Sequence, residues 1–384
     1  MSRNHCKRLL AGLRRGFDSR ILVARLPSSN RRKAGIIQIA AKLGVSTSTV
    51  SRALRPETAH LVSEERRKEI LEAAERYHYS PNPGARMLRS GGNTKLTVVV
   101  PLDENIFFSE FYGRFLAGTL HAAAARRWGV QICTLQLERG MGFREAMQHL
   151  NLESSGLIYL AEPLSVEAVQ ELKGYRRPFV LTKSAIPIGV DPLDIGVPVI
   201  GVDNIGGARS VVRLLLQLGH RKIALILGPA GSRDVHERRQ GYLDALKHAD
   251  ALPRPEWIFE GPFNAETGRA GLAQFLKSKD RPTAVCCAND EIAFGVVNAA
   301  HVAGMRCPED ISVVGFDDGL WATSCHPSLT TVTQPLADMA ERAVSLIVEA
   351  STTPGRSNTA RLDEMPVPIV LRESTRSLST TDRT

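Results

Sequence analysis

From residue 96 onward, short apolar runs alternate with stretches of helical periodicity, and this alternation constrains the fold more than any other feature of the chain. Strands that alternate with helices form parallel sheets with helices on their faces. The runs interpreted as strands are residues 96–101, 130–135, 156–160, 179–182, 223–227, 283–287 and 312–316. One such sheet seldom holds so many strands. We therefore predict an α/β core of two lobes, each built on a doubly wound parallel sheet.

A separate helical module precedes this core. The stretch IIQIAAKLGVSTSTVSRAL, residues 36–54, has the apolar spacing of two short helices that meet at Gly44. Ala40 lets the helices approach closely, Gly44 accepts a turn conformation that side chains resist, and Val50 seals the contact. An amphipathic third helix follows. The sequence therefore predicts an all-α helix-turn-helix DNA-binding domain, although a helical hairpin with a glycine turn could share the pattern.

The second of these helices presents a polar face. With Val50 turned inward, the side chains of Thr47, Ser48, Ser51 and Arg52 point outward. All four can donate hydrogen bonds to base edges or phosphates in a major groove. Arg52 is the strongest candidate for a base contact, because a guanidinium can bond bidentately to guanine.

The net charge of +9 lies at the start of the chain. Residues 1–35 carry ten Lys/Arg and one acid, whereas the chain from residue 96 onward is acidic. We interpret the segment as a disordered basic arm or a translation-start artefact. Its composition also fits a transit peptide. The alternative function of binding nucleic acid without sequence preference is supported by this arm alone.

The sequence gives little support for a membrane or secreted protein, a zinc or disulfide protein, or an enzyme. No apolar run approaches the length of a membrane span or a secretory signal, so we expect a cytoplasmic protein. The six cysteines lack paired spacing and predict reduced thiols rather than a zinc site or disulfides. Nucleotide-binding glycine loops, hydrolase elbows and zinc-protease motifs are absent from the sequence. We expect no catalytic residues, metal or cofactor.

Several motifs carry a family resemblance. The stretch VSTSTVSRAL is followed by YHYSPN and ARMLRSGG, and then by LTVVVP, GVDN, LGHRKIALILG, ERRQGY, CCANDEIAFG, PEDISVVGFDD and LTTVTQP. In order and spacing the chain resembles the LacI/GalR family of transcription regulators. The resemblance implies a periplasmic-binding-protein-like core, a homodimer, double-stranded operator DNA as partner, a sugar-like effector, and repression controlled allosterically by that effector.

The resemblance also implies a hinge that becomes helical on the operator. Leu88 matches the family's leucine, which wedges into the minor groove, and Ala85 and Arg86 would line that groove. An apolar side chain inserted at a base step kinks the duplex, and folding upon binding couples the core to DNA affinity.

The candidate effector residues follow predicted strands. Ligands of doubly wound sheets sit beyond the carboxyl ends of the strands, where Asn289, Asp290 and Asp317 lie, and Arg238 has the family's R-x-x-G spacing. In sugar-binding relatives these positions hold hydroxyl groups. Two aromatic residues, Phe107 and Phe108, could stack on the ligand. The alternatives are that Asp290 caps a helix, that Asp318 faces solvent and that both Phe belong to the core.

Lys183 ends the fourth predicted strand, and with Arg238 it could pair with a carboxylate or phosphate. It therefore favours a sugar acid or a phosphosugar as the effector. The alternative is an internal pair between Lys183 and Glu162.

The predicted segments are an extension (1–35), the helix-turn-helix domain (36–80), a hinge (81–95), the core (96–375) and a tail (376–384). The predicted lobes are about 96–198 with 332–352, and about 199–331 with 353–375. The competing function is that of a sugar-type solute-binding protein without gene regulation. It would lack residues 36–88 and carry a signal peptide.

Overall fold

The computed structural model describes most of the chain from residue 36 onward. The described residues are 36–54, 56–77, 79, 94–102, 106, 109–135, 142–149, 154–161, 163–172, 177–249, 251, 253–352 and 359–378. The chain divides between residues 91 and 92 into two units. The boundary falls within the predicted hinge.

In the described part of the first unit, three α-helices share a small apolar core. They are α1 (Ile36–Leu43), α2 (Thr47–Ala53) and α3 (Glu64–Arg76), with a 3₁₀ helix at Pro56–Leu61. Their buried side chains are Ile39, Ala40, Val50, Ala53, Ile70, Ala73 and Ala74. The helical spacing of these residues places them on the inner faces. The predicted helix-turn-helix fold is confirmed.

The turn between α1 and α2 depends on Gly44. Its φ of +63° lies in the left-handed region that glycine adopts without strain. The amide of Val45 then donates to the Ala40 carbonyl at 3.0 Å, which closes the end of α1. Ser46 begins α2, and its hydroxyl accepts a bond from the Thr49 amide at 3.1 Å. The turn therefore fixes the direction of α2.

Parallel strands form the first sheet of the second unit. They are β1 (Lys95–Val100), β2 (Gly129–Thr134), β3 (Gly156–Tyr159), β4 (Phe179–Thr182), β5 (Pro198–Val202) and β11 (Arg361–Met365). The described strands lie in the order β11, β5, β4, β3, β1, β2. Strands β3 and β4 are buried throughout, because helices cover both faces of the sheet. This sheet and its helices are lobe 1.

A second parallel sheet follows in the order β7, β6, β8, β9 among the described strands. Its strands are β6 (Ile223–Leu227), β7 (Ile258–Glu260), β8 (Ala284–Cys287) and β9 (Ser312–Val314). Two shorter strands, β10 (Thr331–Val332) and β12 (Ile369–Val370), pair antiparallel beside it. This sheet and its helices are lobe 2. The predicted fold class is confirmed.

Helices cover both sheets. Those of lobe 1 are α4 (Glu110–Ala125), α5 (Phe143–His149), α6 (Val166–Leu172) and α12 (Leu336–Thr352). Those of lobe 2 are α7 (Asn204–Gln217), α8 (Arg233–His248), α9 (Ala265–Phe275), α10 (Asp290–Val302) and α11 (Leu320–Ser324). The helices pack in pairs, α4 with α12, α7 with α8, and α9 with α10. Among the described helices, none has the length and apolarity that crossing a membrane requires.

The sheets correct the predicted lobe boundaries in three places. Strand β5 belongs to the first sheet, whereas the sequence predicts a boundary near residue 198. Strand β11 pairs with β5, although residues 353–375 are predicted to lie in lobe 2. The predicted tail begins at residue 376, but the amide of Leu378 donates to Leu218 of lobe 2 at 2.8 Å. The sequence of β11, RLDEM, contains no apolar run. The sequence therefore does not show which sheet this edge strand joins, and only its pairing with β5 assigns it to lobe 1.

His220 secures the C-terminal segment to lobe 2. It is 1% exposed, its Nε2 donates to the Arg376 carbonyl at 3.1 Å, and its Nδ1 lies 2.9 Å from the Thr283 hydroxyl. Burial lowers the pKa of His220 to about 4, despite its bond to Arg376. The imidazole is therefore neutral in the folded protein.

Stability should fall as this histidine is protonated. Because its folded pKa is below the ordinary value of 6.5, the unfolded chain binds the extra proton between about pH 6.5 and 4. We expect His220 to cost roughly 3 kcal/mol of unfolding free energy at pH 4 relative to pH 7. Urea unfolding of wild type and His220→Gln across this range measures it. Equal pH dependence in the two proteins would contradict the assignment.

Candidate functional site

The outer face of α2 carries the residues predicted to read DNA. Thr47, Ser48 and Arg52 are exposed and Ser51 is half-buried, whereas Val50 is fully buried. Because Val50 packs into the three-helix core, it orients the polar face of the helix outward. The predicted hinge residues Ala85, Arg86 and Leu88 lie outside the described residues, as do Phe107 and Phe108.

Asn289 and Asp290 follow β8 at the start of α10, and their roles differ from the expected ones. The Asn289 side chain caps α10 by accepting a bond from the Ile292 amide at 2.9 Å. Asp290 is 1% exposed; it accepts bonds from the Gly319 amide at 3.0 Å and from the Thr331 hydroxyl. The alternative that Asp290 caps the helix is therefore wrong. Instead, it ties the loop at Gly319 to the start of β10.

Asp317 follows β9 with a φ of 130°, and it faces the boundary between the lobes. Its carboxylate accepts a bond from the Gln334 side chain, and its carbonyl accepts one from Arg114 Nη1 of lobe 1 at 2.9 Å. Burial raises the pKa of Asp317 to about 8; the nearby carboxylate of Asp290 adds to the rise and Arg238 opposes it. This carboxyl therefore holds a proton more readily than an ordinary aspartate.

Its neighbour Asp318 is not solvent-facing, in contrast to the alternative raised by the sequence. Its carboxylate accepts bonds from the Arg372 guanidinium and from the Thr333 hydroxyl at 2.8 Å. Burial alone would raise the pKa of Asp318, but the bonds from Arg372 and Thr333 outweigh burial, and the pKa is lowered. Two adjacent aspartates thus have opposite electrostatic surroundings.

Arg238 on α8 is 4% exposed and held on three sides. Its Nε donates to Asn204 Oδ1 at 2.9 Å, its Nη1 donates to the Ala288 carbonyl, and its guanidinium lies 3.8 Å from the centre of the Phe316 ring. The glycine of the R-x-x-G spacing also has a structural reason. A Cβ at Gly241 would lie 2.2 Å from the Ile205 carbonyl oxygen, so α7 and α8 approach closely only without one.

Lys183 is buried beside β4 and pairs inside the protein. Its Nζ lies 2.8 Å from Glu237 Oε2 of lobe 2 and contacts Glu364 of lobe 1. Burial alone would lower the pKa of Lys183, but the hydrogen bonds that it donates to Glu237 and Glu364 and the charges of both carboxylates outweigh burial, and the pKa is raised. Glu162, the partner suggested by the sequence, lies outside the described residues. The sequence pointed to neither of the two observed partners.

Further contacts join the lobes on both sides of this pair. Arg233 of α8 donates to the carbonyls of Pro187 and Val190, at 3.1 and 2.9 Å. On α4, Glu110 accepts a bond from the Leu320 amide at 2.6 Å. Together with the bond from Arg114 to Asp317, these contacts join lobe 1 to lobe 2, and the region between the two lobes is called the cleft below. In the described part of the chain, no group of His, Cys, Asp and Glu side chains could hold a metal ion.

Two family models match the chain. The model described as bacterial regulatory proteins of the lacI family matches residues 36–82, and the model described as a periplasmic binding protein-like domain matches residues 212–375. The first match covers α1 to α3, and the second covers most of lobe 2. Both agree with the predicted family, and the match of the lacI-family model favours the regulator over the solute-binding alternative.

Relatives of full length share both units. The chain is 31% identical over 342 residues to the HTH-type transcriptional repressor CytR of Escherichia coli, covering 88% of this chain and 96% of that protein. It is 28% identical to the catabolite control protein A of Priestia megaterium, covering 89% and 99%.

Solved structures agree with the fold. The Lac repressor bound to ONPG in its repressed state has a TM-score of 0.74 at 26% identity, covering 90% of this chain and 100% of that one. A complex of the regulator CelR with cellobiose has a TM-score of 0.65 at 27% identity, covering 89% and 99%. The similarity therefore covers about nine-tenths of this chain.

Asp317→Asn and Asp318→Asn make the same chemical change at adjacent positions, and they should have opposite effects. The folded pKa of Asp317 lies above its ordinary value of 3.8, so ionisation costs stability as the pH rises towards 8. We expect Asp317→Asn to be more stable than wild type at pH 8, with the difference vanishing near pH 4. Asp318 has a lowered pKa, so Asp318→Asn should be less stable at pH 8.

Urea unfolding at pH 4 and pH 8 tests this pair, and each variant serves as the control for the other. If both variants shifted the unfolding free energy at pH 8 in the same direction, the opposite surroundings described for the two carboxylates would be wrong.

Proposed function

Because the chain belongs to the LacI family of bacterial regulatory proteins, we propose that it binds a specific operator through α2 under the control of a small ligand held between its lobes. One observation carries the proposal. Helix α2 buries Val50 and Ala53 in a fixed three-helix core while its polar face stays exposed. A helix held in this way can enter a major groove without rearrangement.

In this proposal, Thr47, Ser48, Ser51 and Arg52 contact DNA. Arg52 bonds to a guanine, since a guanidinium matches the two acceptors on its major-groove edge. The hydroxyl groups contact bases or phosphates. From the predicted hinge, Leu88 wedges into the minor groove, flanked by Ala85 and Arg86. Paired copies of the chain would then read an operator with twofold symmetry.

The proposed effector lies in the cleft between the lobes. The named CelR–cellobiose complex supports a polyhydroxylated ligand for this fold. Asp317 and Arg238 interact electrostatically, and with Asn289 they offer carboxyl, guanidinium and amide groups, which suit vicinal hydroxyls. Phe107 and Phe108 are proposed to form an apolar wall for the ligand. Asp290 would act indirectly, because both of its oxygens already bond to lobe 2.

Closure of the lobes around the ligand would move lobe 1 relative to lobe 2, and the hinge would pass this change to the DNA-binding domains. The relatives named as repressors support repression as the outcome. We propose that the protein acts as a homodimer on the bacterial nucleoid in the cytoplasm.

Selection of genomic fragments by the purified protein, followed by sequencing, tests the proposal. A dimeric reader predicts a shared inverted repeat with half-sites about one helical turn apart. Fragments without a shared sequence would contradict specific recognition. They would leave only salt-sensitive binding through the basic residues 1–35.

Arg52→Ala is expected to weaken binding to the selected site by about 5- to 150-fold, the equivalent of about 1–3 kcal/mol for one bidentate contact. Binding to unrelated DNA should change far less. Arg269→Ala is the matched control, because it removes the same charge from an exposed ion pair on α9 of lobe 2. Titration of labelled operator and scrambled duplexes measures the ratio. An equal loss for both variants would contradict a base contact at Arg52.

A further inference from the structure

The cations beside the cleft are already occupied by protein groups. Lys183 pairs with Glu237 and Glu364, and Arg233 pairs with Glu237 at 2.9 Å. Arg238 donates to neutral acceptors, and Arg114 donates to backbone carbonyls. An anionic ligand in the cleft would have to displace one of these partners.

Glu237 is the centre of this arrangement. It is 5% exposed and belongs to lobe 2, yet its Oε2 receives Lys183 from lobe 1. The same carboxylate accepts bonds from Arg233 Nε and from Asn204 Nδ2, the latter at 3.3 Å. Asn204 in turn holds Arg238. Glu237 therefore receives donors from both lobes, and two of them are cations.

Three other carboxylates beside the cleft have no cation as partner. Among the described residues, Glu110, Asp290 and Asp317 form no ion pair, and their bonds come from amides, a hydroxyl and a side-chain amide. Asp290 and Glu110 both act electrostatically on Asp317. Asp290 and Glu110 raise the pKa of Asp317 even against the charge of Arg238, so an added negative charge is disfavoured at this place. An uncharged hydroxyl group could donate to a carboxylate oxygen or accept from a protonated carboxyl.

We propose that Glu237 sets the charge class of the ligand: by neutralising Lys183 and Arg233, it makes the cleft select an uncharged ligand rich in hydrogen-bond donors over a sugar acid or a sugar phosphate. The inference rests on the proposed function, which places the ligand between the lobes. It reverses the preference that Lys183 alone predicts from the sequence, because the sequence does not show its two carboxylate partners.

Glu237→Gln in the full chain tests the inference with inorganic phosphate as the probe. The amide keeps the shape of the side chain but removes its charge, so Lys183 and Arg233 share one counter-ion fewer. We expect 10 mM phosphate to raise the melting temperature of the variant by roughly 3 °C over chloride at equal ionic strength, with no shift for wild type. Glu260→Gln is the control, since it neutralises the carboxylate of an exposed pair with Arg239.

Two further variants show whether Lys183 causes the response to phosphate and replace Glu237→Gln if that variant does not fold. Lys183→Gln combined with Glu237→Gln should lose the response to phosphate. If Glu237→Gln does not fold, Glu364→Gln replaces it, because Glu364 is the more exposed partner of Lys183 and should give a smaller shift in the same direction. A folded variant of this kind without any response to phosphate would overturn the proposal.

Wild type is tested in parallel with glucose, gluconate and glucose 6-phosphate. We expect neither anion to stabilise it more than glucose does. Stabilisation by an anion but not by glucose would also overturn the inference. Failure of the proposed function looks different: Glu237→Gln would respond to phosphate as expected, while wild type would select no shared operator sequence from genomic DNA.

Discussion

The ion pair between Lys183 and Glu237 joins the two lobes of the core, and the geometry of the cleft depends on it. Both side chains are 7% exposed, so neither charge can return to water while the lobes stay together. Removing one partner of a buried pair costs about 3–5 kcal/mol, because the other charge is left uncompensated. A movement that separated the lobes at this point would therefore have to break the pair between Lys183 and Glu237.

The remaining contacts between the lobes follow the same logic. Arg233 and Arg114 donate to backbone carbonyls of the opposite lobe, and Glu110 accepts a backbone amide. Such bonds need close approach and correct direction. A change in the relative position of the lobes would therefore disturb these bonds together. A ligand that binds one arrangement more tightly shifts the balance by its difference in affinity.

The sequence predicts most of the strands that are buried on both faces, since β3, β4, β6 and β8 are continuous apolar runs with helices on both sides. It misses β5, which is buried throughout but begins at a proline, a residue that usually interrupts a strand. It also misses β7, which has three residues, and β11, whose polar residues lie at an edge. The candidate site divides in the same way. Family motifs in the sequence identify Arg238, Asn289 and Asp317 as candidates, and the structure brings Arg238 close enough to Asp317 to affect its pKa. Glu237 and Glu364 were missed because their contact with Lys183 is set by how the lobes meet. Asn204 was missed because its partners lie on the neighbouring helix α8, about 30 residues further along the chain.

Coupling between the cleft and the operator is the central claim, and thermodynamic linkage tests it most directly. The measurement uses wild type and the neutral compound that most raises its melting temperature. Operator affinity is determined with and without saturating compound, and affinity for the compound is determined with and without operator. We expect the compound to change operator affinity by about 5- to 150-fold and the operator to change affinity for the compound by the same factor, because coupling between two binding sites is reciprocal. A compound that binds the core tightly and leaves operator affinity unchanged would contradict it.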